Sequence, residues 1–188
     1  MSGVRSTVSG SRVFACAGLG LGIAIVLLAR LTPVAQTAVR PAAPLTRATP
    51  HLTFIARLSH RVAVAGTRMS IVVDVTPKKG MHVYAPGQQY RPVAIRLTPD
   101  TVFRIHEPVY PKPTVFTFKP LNEEVLVYEA PFRLVLDITP GDTAEQRAAL
   151  RRRGRLPVKA KLEYQACDDA VCYLPMSVPF EWTVGVTP

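Results

Sequence analysis

Five stretches of the chain alternate apolar and polar residues, and this alternation constrains the fold more than any other feature. In RMSIVVDVT, for example, Met69, Ile71, Val73 and Val75 share one face, because successive strand residues point to opposite sides. The other four stretches are PVAIRLT, FRLVLDI, VKAKLEY and VPFEWTVGV. Shorter candidates at 52–58, 61–65, 102–106 and 125–128 bring the count to about eight or nine strands. This pattern predicts an all-β antiparallel sandwich with immunoglobulin-like topology.

One short helix interrupts the predicted strands. Asp142 and Glu145 stand three residues apart, just before QRAALRRR and Gly154, and this arrangement is typical of a capped helix. The arginines then fall in the last helical turn, where they complement the helix dipole. The helix therefore explains the basic cluster RRRGR at 151–155 without a binding role.

The N-terminal residues 1–30 are predicted to be a signal peptide or a membrane anchor. Their uncharged run from Val13 to Ala29 is long for a signal-peptide core and short for a membrane span, so both alternatives stay open. Residues 31–50 are rich in proline and alanine and are the predicted linker. The folded domain is predicted at 51–188, and either alternative carries it across a membrane.

The formal net charge of +10 does not indicate a nucleic-acid partner. Five of the arginines lie in the first fifty residues, which contain no acidic residue. No aromatic residues interleave with the arginines of 151–155 to stack bases. We therefore predict no nucleic-acid binding.

The segment YQACDDAVCYLP at 164–175 holds Cys167 and Cys172. The third cysteine, Cys16, lies in the apolar N-terminal run and is interpreted as a small apolar residue. An even pair of thiols in an exported domain can form a disulfide. Both cysteines fall in the connection of one predicted hairpin. Continuing the alternation of VKAKLEY past Tyr164 predicts that Cys167 lies on the exposed face.

Three roles for the cysteine pair follow from the residues alone. A structural disulfide would close about six residues and contribute roughly 2 kcal/mol in the chain-entropy description. A metal site is a second role: zinc lacks a second ligand pair, but Cu(I) could use Met81, His82 or Met176. A redox role fits an exposed bridge in a short loop. Asp168 and Asp169 either raise the thiol pKa or simply form the turn.

The same segment closely resembles the redox site in the N-terminal domain of the thiol:disulfide interchange protein DsbD. In that family a Tyr-Gln-x-Cys entry, a short loop, a second Cys and a Pro form the site. The stretch KKGMHVYAPG resembles the family's strand with a Gly and a Tyr near the site. VYPKP and FKPLNEEVLVYEAPFRLVLDI resemble its cap-loop region and a following strand. The cysteine spacing is one residue shorter than that expected for the best-known members.

The resemblance implies that Cys167 and Cys172 are the redox pair and that Cys172 attacks partner disulfides. It places Tyr84 at an active-site tyrosine. The other residues expected to support the pair are Tyr164, Asp168 and Asp169. A cap-loop aromatic shields the cysteines in the family, and the candidates here are Phe116, Phe118 and Leu121.

The resemblance also implies a component of a protein-disulfide reductase system that needs no cofactor and no metal. Its electrons would come from a membrane electron-transfer protein or a thioredoxin-like donor, supplied as a separate protein. They would pass to periplasmic thiol proteins, such as those of cytochrome maturation, on the periplasmic side of the bacterial inner membrane. Two alternatives stay open: a non-catalytic binding module with a structural disulfide, and a periplasmic copper carrier.

Overall fold

The computed structural model describes residues 40–119 and 122–187, which form an all-β sandwich with one short helix. The predicted anchor at 1–30, the linker up to residue 39, Cys16 and Leu121 lie outside the described residues. In chain order the elements are β1 (Leu45–Ala48), β2 (Leu52–Leu58), β3 (Val62–Val64), β4 (Met69–Pro77), β5 (His82–Tyr84), β6 (Ala94–Leu97), β7 (Phe103–Ile105), β8 (Thr114–Phe118), β9 (Glu123–Tyr128), β10 (Phe132–Pro140), α1 (Ala144–Arg151), β11 (Arg155–Tyr164), β12 (Ala166–Cys167) and β13 (Met176–Thr187).

These strands form three sheets. The first has the order β1-β2-β4-β10-β7, and the second the order β3-β13-β11-β6. Their apolar faces share one core, which includes Ile71 and Leu136 from the first sheet and Leu162 and Trp182 from the second. The third sheet is small, has the order β12-β5-β9-β8 and carries the cysteine segment.

All five alternating stretches form strands, as predicted. The face predicted to be apolar is buried along β4, where the odd-numbered residues from Met69 to Val75 are at most 1% exposed. The hairpin of β11 and β13 is the longest pairing, with a register running from Arg155 opposite Gly185 to Tyr164 opposite Met176. The alternation therefore predicted the strands that build the main core.

Strand β1 lies within the range predicted to be the linker. It pairs antiparallel with β2, and just before it the indole nitrogen of Trp182 donates a hydrogen bond of 3.0 Å to the Ala43 carbonyl oxygen. Three of the four β1 side chains are exposed, because it is an edge strand. Such a strand needs no apolar alternation, so the composition alone did not distinguish it from a linker.

The predicted helix is present as α1, but its cap differs from the prediction. Thr143 is the N-cap and forms a capping box with Gln146, where Asp142 and Glu145 were expected. Arg151 lies in the last turn, as predicted. Within 40–119 and 122–187, no helix has the length and apolar character that a bilayer span requires.

Candidate functional site

The cysteine segment begins where the chain leaves the second sheet and joins the third. β11 ends at Tyr164, whose hydroxyl donates a hydrogen bond of 2.7 Å to Thr49 Oγ1 in the buried core. Two residues later, β12 pairs with β5, with Ala166 opposite Val83 and Cys167 opposite His82. The change of sheet therefore occurs within one residue, Gln165.

A tight turn then returns the chain from Cys167 to Cys172. The Asp168 carboxylate accepts hydrogen bonds from the backbone N–H groups of Ala170 (2.9 Å) and Val171 (2.7 Å). The Tyr173 hydroxyl donates to the same carboxylate at 2.8 Å. These donors favour the ionised form and hold the pKa of Asp168 below its ordinary value. Asp168 thus has the turn-forming role that its residue type favours.

Cys167 and Cys172 form a disulfide, with their Cα atoms 4.1 Å apart. Cys167 is completely buried, whereas Cys172 is exposed. The prediction of an exposed face for Cys167 is therefore wrong. The alternation of β11 does not continue into β12, because β12 belongs to another sheet and both of its residues are buried. Of the two cysteines, only Cys172 is thus exposed to a partner.

The Tyr84 hydroxyl contacts both sulfur atoms of the disulfide. Its oxygen lies 3.1 Å from Cys167 Sγ and 3.3 Å from Cys172 Sγ. The residue is 1% exposed, and burial, with the neighbouring Tyr90 and Glu123, raises its pKa to about 12. Tyr84 therefore stays a neutral hydroxyl near neutral pH, able to donate a hydrogen bond to a thiolate.

Tyr90 covers the other side of the Tyr84 ring. The two rings stack with centroids 4.3 Å apart and an interplanar angle of 8°. The Tyr90 hydroxyl donates to Glu123 Oε2 at 2.6 Å, and this hydrogen bond raises the pKa of Tyr90. The stack thereby links the disulfide to an acidic side chain on β9.

His82 and Phe116 lie on the remaining side of the site. Their ring centroids are 4.3 Å apart, and the His82 ring meets Tyr84 edge-on at 5.9 Å. His82 is 3% exposed, and its Nε2 has no hydrogen-bond partner. Phe116 is partly buried and packs against the cluster that contains Tyr84 and Cys167. A cavity of about 270 Å³ is lined by Gly80, Met81, His82, Phe116, Glu129 and Asp169.

The structure brings together only some of the predicted site residues. Tyr84 and Phe116 lie beside the disulfide, and Asp168 forms its turn. Asp169 is exposed and lines the neighbouring cavity. Tyr164 instead bonds to Thr49 in the core, and Phe118 is buried outside the cysteine cluster.

Two neighbours of the disulfide were not among the predicted site residues. His82 stands two positions before Tyr84, so strand alternation places both on one face, and this signal could have identified it. Tyr90 lies in an irregular segment, and no pattern in the sequence connects it to the cysteines.

Comparison with known families identifies the chain. The family described as "Thiol:disulfide interchange protein DsbD, N-terminal" matches residues 55–182, more than half of the chain, and the match includes both cysteines. The chain belongs to the DsbD N-terminal family. This family has a role in thiol–disulfide exchange, and its domains are periplasmic. The resemblance proposed from the sequence is thus confirmed.

Two solved structures are similar to the chain at low sequence identity. The N-terminal periplasmic domain of ScsB from Proteus mirabilis is 12% identical, with a TM-score of 0.49, and the match covers 79% of this chain. The chain covers 52% of that ScsB domain. The reduced DsbD N-terminal domain from Neisseria meningitidis is 18% identical, with a TM-score of 0.42, and 70% of this chain and 86% of that chain are covered. No curated protein matches the chain.

In the part of the chain that the structure describes, no group of three or more His, Cys, Asp or Glu side chains is arranged to hold a metal ion. The site is a disulfide surrounded by aromatic rings, with Cys172 as its exposed residue.

Proposed function

We propose that the domain shuttles reducing equivalents by thiol–disulfide exchange through the Cys167–Cys172 pair. The observation that carries this proposal is the unequal exposure of the two cysteines, Cys167 buried and Cys172 exposed, with the Tyr84 hydroxyl within reach of both sulfurs. A disulfide that served only as a clamp would need neither the exposed cysteine nor the shared hydroxyl.

The exchange has two steps. In the reduced domain, the Cys172 thiolate attacks one sulfur of a client disulfide, and the other client sulfur leaves as a thiolate. Cys167 then loses its proton and attacks Cys172 Sγ, which re-forms the Cys167–Cys172 disulfide and releases the second client thiolate. The domain is oxidised by two electrons, and the client is reduced by two.

The same proposal includes the partners and the location. A membrane electron-transfer protein or a thioredoxin-like donor would re-reduce the pair by the reverse exchange, and periplasmic thiol proteins would be the clients. The domain would work on the periplasmic side of the inner membrane, exported or tethered by residues 1–30. The exposed Val171 and Leu174 beside Cys172 (51% and 86%) offer apolar contacts for such partners.

Glutathione disulfide provides a direct test with the reduced full-length chain carrying Cys16→Ser, in which Cys167 and Cys172 are the only thiols. We expect this parent chain to release two glutathione molecules per chain as its own disulfide re-forms. Cys167→Ser should stop at a mixed disulfide on Cys172, visible as one bound glutathione by mass. Cys172→Ser should react far more slowly, because Cys167 is buried.

Equal reactivity of the two single variants would contradict the proposal, as would a native chain that does not react. A native chain that resists glutathione disulfide and unfolds more easily when reduced would instead favour the binding module with a structural disulfide.

A further inference from the structure

The buried imidazole of His82 has no role in the exchange described so far. The residue is 3% exposed, yet its Nε2 has no hydrogen-bond partner in the described structure. Leaving a buried polar atom unpaired costs about 1–3 kcal/mol, so such an atom calls for an explanation. His82 therefore merits separate attention at this site.

The sheet register brings His82 and Cys167 to the same face. They are directly opposite in the antiparallel pairing of β5 and β12, and residues so placed have Cβ atoms about 5 Å apart. Tyr84, two residues after His82, lies on that face too and touches both sulfurs. His82 and Cys167 are thus cross-strand neighbours, although in the disulfide form His82 Nε2 makes no hydrogen bond to either sulfur.

Cys167 must exchange a proton in every cycle, although it has no contact with solvent. Tyr84 is a poor proton acceptor at neutral pH, because its pKa is raised to about 12 and its hydroxyl therefore stays protonated. The imidazole of His82, in contrast, can accept a proton at neutral pH, because burial lowers its pKa and keeps the ring neutral. His82 also lines the cavity of about 270 Å³ whose walls include the acidic side chains of Glu129 and Asp169.

We propose that His82 is the general base for Cys167 in the second exchange step, an inference that rests on the proposed function. The Cys167 thiol gives its proton to His82 Nε2, and the sulfur's electron pair forms the bond to Cys172 Sγ. The bond between Cys172 and the client sulfur breaks, and the client leaves with that electron pair. The proton then passes from His82 to the client thiolate or to solvent.

The charges around His82 suit this role. Burial lowers the pKa of His82, while the nearby carboxylates of Glu129, Asp169 and Asp168 act in the opposite direction. Tyr84 on the same strand is neutral, and Phe116 from β8 has no charge. The imidazole is therefore neutral and able to accept a proton at pH 7, and the carboxylates stabilise the imidazolium that forms.

The test uses the reduced full-length chain carrying Cys16→Ser, so that Cys167 and Cys172 are its only thiols, and a chromogenic aromatic disulfide whose thiolate product is coloured. The first release of colour reports attack by Cys172, and the second reports ring closure by Cys167. We expect His82→Gln to slow the second release by about 100-fold at pH 7 and to leave the first within about twofold. His106→Gln is the matched control, because that ring is bonded to Thr139 on another sheet.

The native pH profile gives a second, independent readout. With His82 as the base, the second release should rise with pH through the pKa of His82 and then level off below the ordinary thiol pKa of about 8.5. A rate that keeps rising up to that thiol pKa, or a second release unchanged in His82→Gln, would overturn the role of His82. Neither result would affect the proposed exchange, which in this assay fails if native protein gives no second release. The pH profile also keeps the test decisive if His82→Gln does not fold.

Discussion

The long β11–β13 hairpin and the small β12-β5-β9-β8 sheet are joined at Gln165. They differ in strand length and in the kinds of side chain that they bury. The hairpin has ten residue pairs in register and a regular alternation of buried apolar and exposed polar side chains. The small sheet contains strands of two, three, five and six residues, and it buries Cys167 of the disulfide, a tyrosine and an imidazole. The difference indicates that folding stability lies mainly in the hairpin and its core, whereas the chemistry lies in the small sheet.

A core truncation in the hairpin should have the largest effect on stability. Leu162 is completely buried and sits between β13 and β6, so Leu162→Ala should lower the free energy of unfolding by about 3 kcal/mol. Denaturant unfolding of the oxidised protein measures this value. Lys159→Ala, at an exposed position of the same strand, is the control and should change it by less than about 0.5 kcal/mol.

If Leu162→Ala slowed thiol exchange in the folded protein, this would contradict the division between a stabilising hairpin and a reactive small sheet. We expect the exchange rates of its folded fraction to match those of native protein, because no hydrogen bond in the described residues joins Leu162 to the cysteines.

Loss of the Tyr84 hydroxyl should have the opposite pattern to Leu162→Ala, with a small effect on stability and a larger one on thiol reactivity. Tyr84→Phe should cost about 1 kcal/mol of stability, as for one hydrogen bond, and should raise the pKa of the reactive thiol. The reason is that a hydroxyl donating to the thiolate stabilises the charged form, and phenylalanine cannot donate. The rate of alkylation of the reduced protein as a function of pH measures the shift.

Tyr128→Phe is the matched control for that experiment. The Tyr128 hydroxyl donates to the Pro111 carbonyl oxygen at 2.9 Å and is bonded to neither cysteine. An equal shift of the alkylation profile in both variants would show that the shift comes from a general loss of stability rather than from the hydroxyl at the sulfurs.

The smallest effect is expected at the turn, and it depends on pH. Hydrogen bonds from Ala170, Val171 and Tyr173 lower the pKa of Asp168 in the folded protein. The stability that they contribute is therefore present above the unfolded pKa of about 4 and is lost as pH falls through the lowered folded value.

Asp168→Asn should accordingly flatten the acid limb of a plot of melting temperature against pH. Asp169→Asn is the control, since that exposed carboxylate accepts none of these three hydrogen bonds. A larger flattening in the Asp169 variant would contradict the assignment of the turn to Asp168.

The same contrast explains what could be predicted from the sequence. β4, β10, β11 and β13 each have nine or more residues, so their alternation is long enough to identify a strand and its buried face. β5 and β12 have three and two residues, and no periodicity can be recognised over so short a span. β5 and β12, which hold Tyr84 and Cys167, were therefore not predicted by pattern, whereas β9 of the same sheet was predicted at 125–128.

The site was predicted through its motif and not through its geometry. YQACDDAVCYLP indicated the cysteine pair, but the burial of Cys167 depends on the change of sheet after Tyr164. The position of Tyr90 against Tyr84 depends on tertiary packing of an irregular segment, which has no local signal. His82 was considered only as a copper ligand, although its place beside Cys167 follows once β12 and β5 are paired.

The reduction potential of the Cys167–Cys172 disulfide tests the central claim most directly. The full-length chain would be equilibrated with a series of glutathione buffers, and the fraction of oxidised protein measured by mass after trapping free thiols. We expect a two-electron couple between about −180 and −270 mV, in the range of thiol–disulfide exchange proteins. A value below about −300 mV is typical of structural disulfides and would contradict the shuttle.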